Sequence, residues 1–280
     1  MKRWLSNLLI VVFVAVFLVS GFFLGRYWLQ SRQSQKKFDD LTQIVEQAKP
    51  VVPQKPQLDL PVDATVPPEE TTEPASELVS LIDPKTGLAV QVLPEYAPVY
   101  ELNSDLVGWI AIADTNINYP VVQSPDRTDY YLYRDFYGQD STHGCIYVRE
   151  ACDVLTPSDN VVIYGHRMKD GSMFNNLLYY EKQSYYKAHR YIQFDNLQER
   201  HVYEIMAVFK TVATASGFDY HLFVNAFDEA DFDEFVAQCK AMSLYDTGVS
   251  AAYGDKLITL STCEYSQDNG RMVLVAKRIS

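Results

Sequence analysis

The sequence predicts a mainly β protein: an eight-stranded closed β-barrel with peripheral helices, preceded by an N-terminal transmembrane helix and a Pro-rich stalk. Three observations predict it. A charge-free run of 17 residues spans Leu8–Leu24, and 10 of the 13 prolines fall between Pro50 and Pro98. After Pro98 the chain breaks into eight short β-branched and aromatic runs, most of them bounded by Gly, Pro, Asn or Asp. The boundaries drawn are 1–28 for the anchor, 29–98 for the stalk and 99–280 for the folded domain.

With Leu5, Ser6 and Asn7, the Leu8–Leu24 run approaches the roughly 20 residues that a bilayer-spanning helix needs. Trp4 stands at one end, Tyr27 and Trp28 at the other, where amphipathic rings prefer the two interfaces. A cleaved signal peptide is the rival reading, with Lys2 and Arg3 as its basic start. Such peptides carry a shorter apolar stretch of about 7–15 residues and an A-x-A-like cleavage site, which is not evident here. Charge does not orient the span, because Arg26, Arg32, Lys36 and Lys37 follow it as Lys2 and Arg3 precede it.

Gln30–Lys49 reads as a polar helical extension with a weak apolar stripe of Phe38, Leu41, Ile44 and Val45, stopped by Pro50. From there the prolines remove backbone donors and hold φ near the polyproline region, so an extended, solvated spacer is expected. Glu69, Glu70, Glu73 and Glu77 read as a self-repelling charge run within it.

The candidate strands are Val107–Ile112, Tyr119–Val122, Gly144–Val148, Asn160–Gly165, Tyr191–Phe194, His201–Val212, Lys256–Cys263 and Met272–Ile279. Eight strands in one domain suit a barrel, whose closure removes exposed edges. Two helices interrupt them. Ser172–Glu181 carries Met173, Leu177 and Tyr180 on one face, and Asp228–Leu244 carries Phe232, Phe235, Val236, Cys239 and Met242 at helical spacing. Asp228 and Asp231 suit the positive start of the second helix.

The net charge is −12, and the segment from Val99 onward, with 15 bases against 25 acids, holds −10 of it. This balance excludes a generic nucleic-acid binder, which needs clustered Lys and Arg. Cys145, Cys152, Cys239 and Cys263 match neither a CxxC zinc site nor a disulfide framework. The Cys145–Cys152 spacing allows a bridge, while Cys145 and Cys239 read more plainly as small buried hydrophobes. Glu150, Asp153 and Asp159 are separated acids rather than a calcium site. No metal or cofactor is expected.

The chemistry concentrates at strand ends. LITLSTCEY delivers Cys263 to the C-terminal end of an apolar run, beside Ser261, Thr262 and Glu264. A thiol there can attack a carbonyl once a neighbouring cation supports its thiolate. NVVIYGH ends a second apolar run in His166, which can exchange a proton with that thiol and with a leaving amine. Arg271 follows Cys263 by eight residues, and a hairpin of the last two strands would return its guanidinium to the cysteine, where it can bind a carbonyl or a developing oxyanion. Taken singly, each is more often structural; their agreement at strand ends carries the reading.

The combination resembles the sortase family, in particular class B. The resemblance rests on TLSTC at Thr259–Cys263, IYGH at Ile163–His166 and the spacing to Arg271. Weaker blocks are GWI at Gly108–Ile110, YPVVQ at Tyr119–Gln123 and YYLYRDF at Tyr130–Phe136. It implies a sortase barrel and a Gram-positive cell-surface cysteine transpeptidase in which Cys263, His166 and Arg271 are catalytic. Leu132, Tyr164, Ser261, Thr262 and Glu264 are implied as groove or near-site residues. The implied partners are a surface-protein or pilin sorting signal, NPxTx-like in class B, and an amine of a peptidoglycan precursor or a pilin. The resemblance also implies a single-pass cell-membrane protein with its N-terminus cytoplasmic, the stalk holding an extracellular catalytic domain away from the bilayer. A pilin-polymerising sortase, a hydrolytic cysteine peptidase and a noncatalytic surface-binding β-domain are the competing functions.

Overall fold

The computed structural model describes residues 2–50, 78–214 and 216–280. Helix α1 runs unbroken from Lys2 to Ala48, and its first half exposes apolar side chains from Leu8 to Leu24. Beyond Trp28 its character changes. Ser34, Phe38, Leu41 and Val45 are buried, spaced three or four residues apart along one face, against α2 (Ala97–Leu102) and β4 (Asn118–Val122). Phe38 meets Tyr119 edge to face with ring centroids 5.2 Å apart.

This arrangement differs from the stalk expected over 29–98. Residues 29–48 are a docked part of α1, because the weak apolar stripe finds a partner in the barrel wall. The Pro-rich 51–77 stretch, with its four glutamates, lies outside the described residues. The hairpin of β1 (Val79–Ile82) and β2 (Ala89–Val92) then leads into α2, and Leu93 and Tyr96 just before that helix, with Val99 in it, are already core. Folded structure therefore begins well before 99.

After α2 come β3 (Leu106–Ala111) and β4, then a 3-10 turn at Tyr130–Tyr133, β5 (Ile146–Val148) and β6 (Asn160–Tyr164). A 3-10 helix at Phe174–Glu181 and α3 (Gln183–Ala188) lead to β7 (Tyr191–Asn196) and β8 (Val202–Val212). Helix α4 (Glu229–Met242) and the final pair β9 (Leu257–Glu264) and β10 (Gly270–Arg278) complete the chain. The eight strands from β3 to β10 close in the order β10-β8-β7-β3-β4-β5-β6-β9. All eight candidate strands are present with ends shifted by one or two residues.

The expected helix at Ser172–Glu181 forms as a 3-10 helix instead. Phe174, Leu177 and Tyr180 are fully buried at spacings of three, which fits three residues per turn better than 3.6. Helix α4 agrees with expectation: the Asp228 carboxylate accepts from the Asp231 amide at 3.0 Å, and Phe232, Phe235, Val236 and Cys239 are buried.

Alternation sorts the last two strands into faces. Ile258, Leu260, Met272 and Leu274 join the main barrel core, whereas Leu257, Val273 and Val275 face outward into a second core built with Phe232, Phe235 and Cys239 of α4. Cys263 and Arg271 share the parity of that outer set. All four cysteines are free thiols, three of them buried, so Cys145 and Cys152 form no bridge.

Candidate active site

Strand β9 lies between two partners that bring the candidate residues to one place. Antiparallel pairing with β10 sets Arg271 directly opposite Cys263. Parallel pairing with β6 sets Tyr164 beside Ser261, and the Gly165 amide donates to the Ser261 carbonyl at 3.2 Å. β6 ends at Tyr164, and His166 follows two residues beyond it. Side chains at paired positions share a face, so the Cys263 thiol and the Arg271 guanidinium emerge together on the outer surface at the C-terminal end of β9, with the end of β6 beside them. Gly165 permits the approach: a Cβ there would lie 2.5 Å from Ile146 Cδ1 and 2.7 Å from the Phe174 ring.

The imidazole is held in one tautomer. His166 Nε2 lies 2.6 Å from the Leu132 carbonyl, which can only accept, so the proton sits on Nε2 and Nδ1 is left for proton exchange. Tyr133 packs on the ring at 5.5 Å between centroids. Burial lowers the basicity of His166 below the ordinary histidine range, and the nearby His143 acts in the same direction. Arg271 is half-buried, and its Nη1 donates to the carbonyls of Gly270 at 3.0 Å and Asn269 at 3.3 Å. The turn thereby steadies the guanidinium while leaving its other donors available.

The remaining predicted residues divide by parity. Tyr164 and Ser261 lie on the face of Cys263, and Leu132 contributes its carbonyl to His166. Thr262 and Glu264 do not line that face, because neighbours on a strand point to opposite sides. Thr262 is buried, with no partner for Oγ1 among the described residues. Glu264 is buried and clamps the following turn, accepting from the Ser266 amide at 2.9 Å and hydroxyl at 2.5 Å, with Lys210 at 3.6 Å. Burial opposes its ionisation, but Ser266 and Lys210 outweigh that cost and hold its carboxyl below the usual range.

Two features were missed in the sequence. Tyr220, from the segment between β8 and α4, bonds Ser261 Oγ at 2.7 Å beside Cys263 and Arg271. Arg167 lies over the Tyr265 ring at 4.8 Å, linking the residue after His166 to the turn after Cys263. Nothing local marks either one, since both depend on loops meeting across the barrel end.

A sortase-domain family model matches residues 110–279. The chain belongs to the sortase family, class B. Sortase B of Listeria monocytogenes is 31% identical over 284 residues, covering 100% of this chain and 98% of the relative. A Bacillus anthracis sortase B crystal structure in complex with AAEK1 has a TM-score of 0.67 at 26% identity, covering 90% of this chain and 99% of that one. The Staphylococcus aureus sortase B–substrate complex has a TM-score of 0.62 at 32% identity, covering 68% and 86%. The sortase is thus a cysteine transpeptidase, and its closed barrel with α4 between β8 and β9 is the arrangement that the resemblance implied.

Proposed function

We propose that this sortase cleaves a C-terminal sorting signal after Thr and transfers the acyl group to an amine of a cell-wall precursor. Cys263 passes its proton to His166 Nδ1, and Sγ attacks the Thr carbonyl carbon, forming a C–S bond as the carbonyl electrons move onto oxygen. Arg271 stabilises that oxyanion. Collapse of the intermediate breaks the C–N bond, His166 gives its proton to the departing amine, and a thioester remains. An incoming amine then attacks the thioester, His166 takes the proton, and the Cys263 thiolate leaves.

The single observation that carries this reading is the register of β9, with Arg271 opposite Cys263 on one side and the β6 end leading to His166 on the other. Tyr164, Ser261 and the Leu132 segment are the groove residues of this reading. An NPxTx-like signal is the proposed substrate. Helix α1 is long and apolar enough to cross a membrane. It supports a single-pass anchor with a cytoplasmic N-terminus and an extracellular barrel. Ser31, which touches the barrel, follows Trp28 by only three positions, a rise of about 4.5 Å. The barrel would stand against the bilayer on a continuous helix, not at the end of a spacer.

The test uses the full chain in detergent micelles, incubated with sorting-signal peptides with and without candidate amines. Expected are cleavage, ligation only when amine is present, and a trapped thioacyl mass on Cys263. Full activity in Cys263→Ala overturns the reading, and acid release with no ligated product for any amine overturns the transfer step.

A further inference from the structure

His166 rests in a cradle of two loops, and α1 fastens both. The first loop, residues 167–173, leaves His166 and returns at once: Arg167 bridges Met173, and the Phe174 amide donates to the His166 carbonyl at 2.9 Å. Asp170 stands at its tip. One carboxylate oxygen accepts from the Ser172 amide at 3.0 Å and hydroxyl at 2.6 Å. The other accepts from His143 Nε2 at 2.9 Å and from the Ser31 hydroxyl of α1. The second loop follows the Tyr130–Tyr133 turn, and there Asp135 is bonded by Lys37 of α1 at 2.6 Å.

His143 joins the two halves. Its ring is 2% exposed and reaches Asp170, while the next residue, Gly144, backs the carbonyl that accepts the hydrogen bond from His166 Nε2. At φ +59°, a Cβ on Gly144 would lie 2.4 Å from the Leu132 oxygen. A movement at His143 would therefore reach His166 from both sides, through the loop tip and through its acceptor.

We infer that Asp170 is a positioning residue for His166, locked by His143 and by Ser31, and that α1 is part of the catalytic apparatus as well as a tether. The inference rests on His166 being the proton-transfer group of the proposed function. A displaced imidazole leaves substrate binding intact and slows proton transfer, since errors of about 1 Å cost on the order of a hundredfold in rate. The expected signature is a fall in kcat with an unchanged KM.

The experiment measures kcat and KM of the full chain in detergent micelles on a sorting-signal peptide with a saturating amine. Asp170→Ala is expected to lose kcat by about ten- to a hundredfold with KM within about twofold. Asp170→Asn, which keeps one acceptor oxygen but puts an NH2 donor in place of the other, is expected to recover only part of that loss. Ser31→Ala lies on a half-exposed helix position, so it keeps the test alive if Asp170→Ala does not fold. It should lose kcat severalfold with its melting temperature unchanged. Wild-type kcat in Asp170→Ala, or wild-type kcat in a folded Ser31→Ala when Asp170→Ala cannot be made, overturns the inference. So does a loss carried by KM. His166→Ala is measured beside them: activity there sinks the functional reading, whereas an inactive His166→Ala with a fully active Asp170→Ala sinks the inference alone.

Discussion

Arg271 stands directly opposite Cys263 in the antiparallel pair of β9 and β10, so guanidinium and thiol emerge side by side from one face of the barrel. Opposed positions bring Cβ atoms to about 5 Å, which leaves room for a carbonyl between the two groups. Losing a donor aimed at an oxyanion costs about a hundred- to a thousandfold in rate. Arg271→Ala should therefore lower kcat by that order, measured on a sorting-signal peptide. Arg271→Lys should recover only part of it, because an ammonium lacks the planar fork that also grips the Asn269 and Gly270 carbonyls. An Arg271→Ala enzyme within threefold of the parent would remove the guanidinium from the chemistry.

Gly165 bears on the other half of the site. A methyl group there would press into Ile146 and the Phe174 ring, both fully buried, so the end of β6 must shift. Overpacking of this kind costs about 1–3 kcal/mol. Gly165→Ala is expected to lower the melting temperature accordingly and to reduce kcat further, because His166 is the next residue. Equal melting temperature and kcat would show that the β6 end has slack that its packing does not suggest.

The barrel was legible because its strands carry a period of two and are punctuated by Gly, Pro, Asn and Asp. Cys263, His166 and Arg271 stand out in the sequence because each closes or opens an apolar run, and the β9–β10 register does set Arg271 opposite Cys263. Thr262 and Glu264 were implied as near-site residues by the resemblance, yet as strand neighbours of Cys263 they point to the opposite face. The docked half of α1 was obscured by composition: its inward stripe includes Ser31 and Ser34, and its apolar members acquire meaning only against Tyr119 and α2. Tyr220 was invisible for a related reason, since it reaches Ser261 from a loop 41 residues away in sequence.

Leu41 provides the direct check that α1 is docked. It is fully buried, one turn beyond Phe38 on the inward stripe. Leu41→Ala removes the packing of a whole side chain, which in buried sites costs about 2–5 kcal/mol. Thermal melting of the full chain in micelles should show that loss, while Leu24→Ala, exposed on the apolar half, should change it little. If the two variants melt alike, α1 does not pack on the barrel in solution.

Stability should also decline in two stages as pH falls. Burial is the leading cause that lowers the basicity of His166, His201 and His221, whose unfolded values lie near about 6.5. Just below that pH the unfolded chain binds protons that the folded chain refuses, so stability rises with pH across the window. The histidine contribution is complete above about pH 6.5 and disappears as pH falls through the depressed folded values. A second stage follows in the carboxylate range, where Asp83, Asp255 and Glu264, all held low by hydrogen bonds and neighbouring lysines, must be protonated. Asp195, raised by burial, opposes this second stage, since its protonated form is the one favoured in the folded chain. Melting temperature should therefore fall between pH 7 and pH 5, and His166→Gln should flatten part of that fall. A melting temperature that stays level or rises across this interval would mean that the three imidazoles are solvated in the folded protein.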